Sequence, residues 1–340
     1  MKDKINVGIA GIANHGVTIR NAALKCNKIN VVSAYDINRE ELEKFASQSG
    51  CKAVNDYDEI VNDPNIDAVI LVTPNHLHFE QVKKAVDKKK HIFLEKPVTN
   101  FVKEAVELVN YAKKGGSILQ IGHHMRYRIH YRETKKAIEE GRIGKPVSFY
   151  CNFSHDGGFN PNIPKWKMDK STCPLLPMMQ VGIHFIDSIQ YFIDEIEAVS
   201  CIAVSHSMPN NILDSTVSSI KLKNNVIGVL NSHYIIPAIF EYKIFGTKGT
   251  VWVKNSDIEI ETVNGNERIV ERKTIDEVKN SPYEFEIADF AEKVLKNEQP
   301  EVDGPKGVSA LAAIEAMNIS VEEKRTVRID EIYKPEMIIK

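Results

Sequence analysis

The stretch INVGIAGIANHG, residues 5–16, decides the fold of this 340-residue chain. Residues 5–10 are mostly apolar and predict a short buried strand, and residues 17–25 predict a helix. The glycine-containing turn lies between them. This order of strand, glycine turn and helix is typical of a dinucleotide-binding site.

Three positions in the turn carry that interpretation. Gly11 permits the tight turn, and Gly16 lets the helix pack close to the strand. The helix N-terminus then offers amide groups and a positive dipole to a pyrophosphate. Ala13 replaces the second glycine of the usual pattern, which leaves an ordinary strand-to-helix turn as the alternative.

A second strand, residues 30–35, ends at Asp36. That spacing is expected of the acid that hydrogen-bonds the adenosine ribose. A carboxylate repels a 2′-phosphate, so NAD is favoured over NADP, while the nearby Arg39 keeps NADP possible. Asp36 is also a good N-cap for the helix predicted over residues 39–47, and the two roles are compatible.

The segments that follow alternate between strands and helices. Strands are predicted at 68–72, at 91–94 and at 118–121, and helices at 79–88 and 103–114. Strands alternating with helices of these lengths predict a doubly wound parallel sheet.

The stretch IFLEKPV, residues 92–98, contains the strongest catalytic candidate. Its three leading apolar residues predict the end of a buried strand, and Pro97 stops the strand because proline cannot donate to a sheet ladder. Glu95 and Lys96 thus lie at the carboxyl end of the strand, where α/β sheets bind ligands. Partial desolvation in a cofactor cleft lowers the pKa of a lysine toward a useful value. The alternative is a solvated turn.

Residues 73–78, TPNHLH, follow the strand at 68–72. Pro74 and Asn75 are interpreted as lining the cofactor cleft. His76 and His78 are interpreted as helix-start and packing residues, since no carboxylate or cysteine completes a metal-ligand set. No metal site is predicted.

Composition and charge exclude several classes of protein. The hydrophobic content is 43%, the charged content 26% and the formal net charge −2. These values fit a globular chain and give no electrostatic footprint for nucleic acid or membrane. The five cysteines are scattered and predict neither disulfides nor zinc, which favours a cytoplasmic location. We see no signal peptide at the N-terminus.

The ordered motifs together resemble the Gfo/Idh/MocA oxidoreductases, named for glucose–fructose oxidoreductase, inositol dehydrogenase and a rhizopine-catabolism protein. The motifs are the glycine turn, Asp36, 73–78, 95–97 and GHHMRY at 122–127. The resemblance implies an NAD(P)-dependent enzyme acting on a sugar, cyclitol or sugar nucleotide. It also implies that Lys96 is the catalytic lysine and that the Lys96–Pro97 bond is cis.

The chain length predicts two domains. We place an NAD(P)-binding Rossmann domain at 1–121 and a substrate-binding and oligomerisation domain at 122–340. Successive strands at 199–204, 216–222, 226–234, 240–245 and 250–254 predict an α+β domain with a large, mostly antiparallel open sheet. Family members commonly pair through this sheet, so the resemblance implies a homodimer or homotetramer.

The loop at 154–177 is predicted to lie on the substrate side, because long loops without regular structure are usually functional or mobile. Trp166 is a candidate to stack on a sugar ring, with a plain surface loop as the alternative. Arg126 and Tyr127, in the 122–127 motif, are further substrate-binding candidates.

The helix predicted at 178–192 carries the family's Gly-x-His-x-x-Asp pattern from Gly182 to Asp187. The resemblance makes His184 the second catalytic residue, where the residues alone favour a core histidine. Gln180, one turn away, stands where many relatives have aspartate, so Lys96 is favoured over His184 as the general base. Gln180 and Asp187 are also substrate-binding candidates, although a structural hydrogen bond is the favoured role of Asp187.

These interpretations predict a cofactor site and a reaction. The site comprises Gly11, Ile12, Ala13, Asn14, His15, Gly16, Asp36, Ile37, Arg39, Thr73, Pro74, Asn75, His78, Glu95, Lys96 and Pro97. The favoured function is dehydrogenation of a polyhydroxylated substrate. The alternatives are an NAD-using glycoside hydrolase of the same fold and a non-catalytic sugar or dinucleotide sensor.

Overall fold

The computed structural model of the chain describes residues 2–276, 279 and 281–339. Its contacts divide the chain into two compact units. The first unit comprises residues 1–124, 281–308 and 335–340, and the second comprises 125–280 and 309–334.

A six-stranded sheet forms the centre of the first unit. Its strands are β1 (Ile5–Ala10), β2 (Ile29–Tyr35), β3 (Lys52–Ala53), β4 (Ala68–Leu71), β5 (His91–Glu95) and β6 (Leu119–Gly122). The order is β3-β2-β1-β4-β5-β6, and every neighbouring pair is parallel. The helices between the strands are α1 (Gly16–Lys25), α2 (Arg39–Ser49), α3 (Tyr57–Asn62), α4 (His78–Asp87) and α5 (Val102–Gly115). The predicted doubly wound parallel sheet is confirmed.

Burial explains why these segments form strands. All four residues of β4 are buried, and Ile92, Phe93 and Leu94 in β5 are fully buried. Continuous apolar strands are typical of a parallel sheet whose two faces are both covered. The carboxyl ends of β1, β4 and β5 therefore lie at one edge, where the glycine turn, the 73–78 motif and Lys96 follow them.

A nine-stranded sheet forms the centre of the second unit. Its strands are β7 (Pro146–Ser154), β8 (Ile196–Val204), β9 (Ser215–Leu222), β10 (Ile227–His233), β11 (Ile239–Gly246), β12 (Gly249–Lys254), β13 (Asp257–Asn264), β14 (Glu267–Thr274) and β15 (Val327–Arg328). The order is β14-β13-β12-β11-β7-β10-β9-β8-β15, and only the β7–β10 pair is parallel among the described pairings. The predicted mostly antiparallel sheet is confirmed, with Thr247 and Lys248 as the turn between β11 and β12.

Two helical segments contain irregular turns. A 3₁₀ turn at His124–Tyr127 precedes α6 (Ile129–Glu139). The helix expected over 178–192 begins as a π-helix, Met178–Gly182, and continues as α7 (Ile183–Phe192). Gly182 allows the π-helical turn, because a Cβ at that position would collide with the sulfur of Met178.

The last two helices are α8 (Pro282–Lys296) and α9 (Gly304–Glu323). The predicted second domain, residues 122–340, is continuous, whereas the contacts assign α8 and the start of α9 to the first unit. The physical reason is packing. Ile287, Phe290 and Ala291 belong to the core of the first unit, where the rings of Phe93 and Phe290 lie 5.8 Å apart.

Candidate active site

The glycine turn after β1 has the backbone shape that the sequence predicts. Gly11 has a φ of +86°, and a Cβ there would collide with the carbonyl oxygen of Val72. A Cβ on Gly16 would likewise collide with the Gly11 carbonyl. Neither position has room for a side chain. The backbone of the glycine turn therefore packs close to α1 and leaves the N-terminus of that helix accessible.

Asp36 holds this turn in place. Its Oδ2 accepts hydrogen bonds from the amides of Ile12 at 2.7 Å and Ala13 at 3.0 Å, and its Oδ1 accepts from the amide of Asn38 at 2.8 Å. Asn38, not Asp36, caps α2 by accepting from the Glu41 amide. The N-cap role predicted for Asp36 is therefore wrong, because its carboxylate accepts the amides of the glycine turn and of Asn38 instead.

The hydrogen bonds between Asp36 and the glycine turn predict how mutation of Asp36 changes the binding of NAD and NADP. Asp36→Ala removes two charge-assisted hydrogen bonds from the turn as well as the ribose acceptor. We expect it to raise the Kd for NAD about 100-fold without tight binding of NADP, measured by calorimetry. Asp56→Ala is the matched control, since Asp56 accepts the Glu59 amide at 2.9 Å at the start of α3. A gain of NADP affinity in Asp36→Ala would contradict the bracing role.

The neighbours of Asp36 lie in two different environments. The side chain of Ile37 is 91% exposed. Arg39 donates to the carbonyl of Val54 at 3.1 Å and pairs with Glu43 at 3.5 Å.

The 73–78 segment connects the ends of β4 and β5. Nδ1 of the buried His78 lies 3.0 Å from the Pro97 oxygen and 3.2 Å from the Val98 oxygen, and its Nε2 lies 2.9 Å from the Thr73 oxygen. Burial lowers the pKa of His78 despite these carbonyls. The packing role predicted for His78 is confirmed, and this histidine holds the turn that carries Lys96.

Asn75 is the other buried polar residue of this segment. Its Nδ2 has no hydrogen-bond partner in the described part of the chain. Thr73 donates to Gln81 at 2.5 Å, and Pro74 is half-buried. An unsatisfied buried amide is rare in a protein interior, so Asn75 is a good candidate to contact a bound ligand.

Lys96 follows β5 and is half-buried, and the Lys96–Pro97 bond is cis, as the resemblance implied. Glu95 is buried, and its Oε2 accepts from the Lys96 amide at 3.1 Å. Its Oε1 lies 3.3 Å from Nε2 of His15 in the glycine turn. Burial opposes the charge on Glu95, but the charges of His15 and Lys96 outweigh it and hold the pKa of Glu95 below its usual value. Sequence reasoning did not detect this pair, because its members are 80 residues apart.

The residues present fit a bound NAD. The amides of Asn14 and His15 donate to no other backbone group within the described ranges, and they lie at the N-terminus of α1, a site suited to a pyrophosphate. Asp36 retains acceptor capacity for ribose hydroxyls, and Asn75 offers its amide. No set of three or more His, Cys, Asp or Glu side chains in the described ranges is placed to hold a metal.

His184 is buried in the second unit at the start of α7. Its ring lies 5.7 Å from the ring of Phe153, which lies 5.2 Å from Phe240. The guanidinium of Arg128 lies over Phe240 at 4.6 Å. The sequence analysis did not identify Arg128 as a charged residue near His184. The two are connected through the rings of Phe153 and Phe240, which lie on separate strands.

Arg126 and Asp187 are each other's partner. Arg126 Nε donates to Asp187 Oδ2 at 2.8 Å, and its Nη2 donates to Oδ1 at 2.6 Å, while Asp187 is fully buried. This bidentate pair connects the segment before α6 to α7. It matches the structural hydrogen bond favoured for Asp187, and the substrate-binding role of both residues stays a prediction.

The other substrate candidates lie in separate places. Tyr127 is buried beneath the guanidinium of Arg132 at 5.4 Å. Trp166 is half-buried in a 3₁₀ turn of the 154–177 loop. Gln180 lies in the π-helix, and its amide is 3.7 Å from the sulfur of Cys173.

A parallel sheet with a glycine turn braced by an acid at the end of β2 defines an NAD-binding oxidoreductase of the Rossmann class. Comparison with known proteins agrees. A family model described as "Oxidoreductase family, NAD-binding Rossmann fold" matches residues 5–123, and the GFO/IDH/MocA C-terminal domain matches residues 131–252. The chain belongs to the Gfo/Idh/MocA oxidoreductase family.

Several relatives are similar over almost their whole length. The 1,5-anhydro-D-fructose reductase of Ensifer adhaerens is 26% identical over 90% of this chain and 92% of its own. The myo-inositol 2-dehydrogenase of Thermotoga maritima is 26% identical over 96% of this chain and 99% of its own. Among solved structures, levoglucosan dehydrogenase with NADH and levoglucosan shares the fold with a TM-score of 0.88, at 20% identity over 96% of this chain and 99% of that chain.

Proposed function

We propose that the protein oxidises a secondary alcohol of a sugar, cyclitol or sugar nucleotide with NAD, or reduces the corresponding ketone. The observation that carries this proposal is the position of Lys96 at the carboxyl end of β5, beside the turn that His78 and Glu95 hold. The names of the relatives, which act on an anhydrosugar and an inositol, support the substrate class.

The proposed chemistry divides between cofactor and protein. Bound NAD supplies the hydride acceptor or donor. Lys96 takes the proton of the substrate hydroxyl during oxidation and returns it during reduction. His184 is retained as the second candidate catalytic residue, on the second unit. We assign the base to Lys96, because the neutral Gln180 cannot raise the basicity of His184 as a carboxylate would.

The second unit is proposed to bind the substrate. Phe153 gives His184 an apolar neighbour, Phe240 packs on Phe153, and the guanidinium of Arg128 lies over Phe240. Trp166 and Gln180 remain candidates for further contacts. Apolar surfaces with a few polar groups are typical of small-molecule sites.

The decisive experiment is NADH formation, followed by absorbance, with a panel of inositols, sugars and sugar nucleotides. We expect turnover with at least one member and with NAD in preference to NADP. Release of reducing sugar without net NADH would instead indicate an NAD-using glycoside hydrolase. Ligand binding without any turnover would indicate a sensor.

We also propose that a second copy covers one face of the nine-stranded sheet, giving a homodimer or homotetramer. Ile202 on β8, Val217 on β9 and Ile227 on β10 are 73%, 46% and 58% exposed. Ile202 and Val217 are direct cross-strand partners, so they share a face. Exposed apolar patches of this kind mark interaction surfaces.

Changing one residue of this patch tests the assembly. We expect Ile202→Asp to shift the protein toward monomer, because it would bury an uncompensated charge at the interface. Light scattering after size-exclusion chromatography measures the mass. Leu24→Asp, at a 46% exposed position on α1, is the matched control and is expected to leave the mass unchanged. A monomeric wild-type protein would contradict the proposed assembly.

The described residues include no helix with the length and apolar character of a membrane span. None of the five cysteines forms a disulfide, and four of them are buried. Free thiols persist in reducing compartments, and this supports our proposal of a cytoplasmic location.

A further inference from the structure

Arg20 on α1 reaches back to the glycine turn. Its Nη1 donates to the carbonyl oxygen of Ile12 at 3.1 Å, and its Nη2 lies 3.6 Å from Oε2 of Glu41 on α2. The guanidinium lies over the ring of Phe45 at 4.8 Å. Arg20 is 8% exposed, and a guanidinium is always protonated in proteins. A positive charge is therefore nearly buried beside a backbone carbonyl of the turn.

Burying a charge is costly unless the charge is fully hydrogen-bonded. Nε of Arg20 is buried and has no hydrogen-bond partner among the residues that the structure describes, and the carboxylate of Glu41 is partly exposed to solvent. An apolar side chain of similar size would fill this space with a smaller desolvation penalty. Packing alone therefore does not account for an arginine here, whereas its hydrogen bond to the Ile12 carbonyl does.

The Ile12 carbonyl belongs to a peptide group that is held on both sides. Its oxygen accepts from Arg20, and the N–H of the same peptide group, which is that of Ala13, donates to Oδ2 of Asp36 at 3.0 Å. The carbonyl and the N–H of a planar trans peptide point in opposite directions. The two hydrogen bonds together therefore fix the plane of this peptide group in the middle of the turn.

We propose that Arg20 is a positioning residue for NAD. By holding the Ile12–Ala13 peptide plane, it keeps the Ala13 amide on Asp36, the ribose acceptor, and fixes the start of the turn that faces the pyrophosphate. Arg20 is not itself a phosphate ligand, because its guanidinium is enclosed by the Ile12 carbonyl, Glu41 and Phe45. The inference rests on NAD binding, which the family match supports, and is independent of Lys96 and of the substrate.

The first test follows the Ala13 amide by hydrogen exchange and NMR in the full chain without cofactor. Arg20→Met removes the donors but keeps a side chain that can pack on Phe45. We expect the Ala13 amide to exchange about 10-fold faster, because the peptide plane loses one of its two restraints. In an Asp36→Ala background, Arg20→Met is expected to add nothing, because the Ala13 amide no longer has its acceptor.

The second test compares ligand binding with stability. Arg20→Met is expected to raise the Kd for NAD about 10-fold in calorimetry. The Kd for ADP-ribose, which lacks the nicotinamide, is expected to rise by the same factor. The urea midpoint is expected to stay close to that of the wild type, because methionine removes a buried charge as well as a hydrogen bond. A merely structural role predicts the reverse, with a lower midpoint and an unchanged Kd.

Lys90→Met is the matched control. Lys90 is 6% exposed and donates to the carbonyls of Asp63 and Ile66 at 2.7 Å each, before the amino ends of β4 and β5. Its loss also removes a nearly buried cation from backbone carbonyls of the first unit, but at the edge of the sheet opposite the glycine turn. We expect Lys90→Met to leave the Ala13 exchange rate and the Kd for NAD unchanged, whatever its stability.

Arg20→Lys repeats both tests where Arg20→Met does not fold. Lysine keeps the charge but lacks the planar fork that can serve a carbonyl and a carboxylate together, so the same changes are expected at smaller size. Unchanged Ala13 exchange in the folded variant, a change that survives in the Asp36→Ala background, or an equal rise in Kd in Lys90→Met would overturn the inference. None of these measurements needs a substrate, so a failure of the proposed dehydrogenase activity would leave the role of Arg20 intact.

Discussion

Lys96→Met is expected to lower kcat about 10³-fold, the contribution typical of a positioned general base. Methionine has a similar length and can fill the half-buried space that Lys96 occupies, but it cannot accept a proton. Glu95 and its neighbours in the glycine turn remain, so the Kd for NAD is expected to stay close to that of the wild type. Stopped-flow and steady-state kinetics with an active substrate, together with calorimetry for NAD, measure the two effects.

The matched control is Lys103→Met, at an exposed position in the first turn of α5, which is expected to leave both kcat and the Kd unchanged. If Lys96→Met kept most of its kcat, the base would have to be sought elsewhere, first at His184. If the variant instead lost NAD affinity, Lys96 would be a cofactor-binding residue rather than the base.

Asp187→Asn is expected to reduce the free energy of unfolding by about 3–5 kcal/mol, the usual cost of breaking a buried ion pair by removing one charge. The change leaves the guanidinium of Arg126 buried without its carboxylate, although the side chains keep their size. Urea unfolding followed by circular dichroism measures the loss. A substrate-binding role for Asp187 predicts the opposite pattern, with stability retained and KM increased.

The control for this variant is Glu195→Gln, which breaks the exposed Glu195–Lys223 pair of the same unit. Exposed pairs contribute about 0–1 kcal/mol, so little change is expected. The double variant Arg126→Met/Asp187→Leu, which removes both charges, is expected to recover much of the stability. Failure of that recovery would mean that the pair acts through more than its charge.

The pattern of apolar residues predicted most of the strands and helices, and it succeeded where an element is buried on one or both faces. The parallel strands of the first unit are continuous apolar runs, and the five strands predicted in the second unit are all present within two or three residues. Strands β13 and β14 were not predicted individually. Every residue of β14 is exposed, so its sequence, ERIVERKT, has no alternation between a buried and a solvated face.

The site was predicted as a set of motifs but not as a network of contacts. The motifs identified Asp36, His78 and Glu95, yet their observed partners are backbone amides, carbonyls and a histidine far away in sequence. The pairing of Arg126 with Asp187 has the same origin, since it joins groups 61 residues apart. A single sequence contains no signal for such pairs, because hydrogen bonds formed across the fold leave no periodic pattern.

The return of α8 to the first sheet has a consequence during protein synthesis. The ribosome completes β1 to β6 more than 150 residues before it makes Phe290, which packs on Phe93. Until then the nascent nucleotide-binding half exposes an apolar surface that a chaperone can hold. A fragment that stops at Gly122, the end of β6, lacks α8 and keeps that apolar surface exposed. We therefore expect such a fragment to aggregate when it is expressed alone.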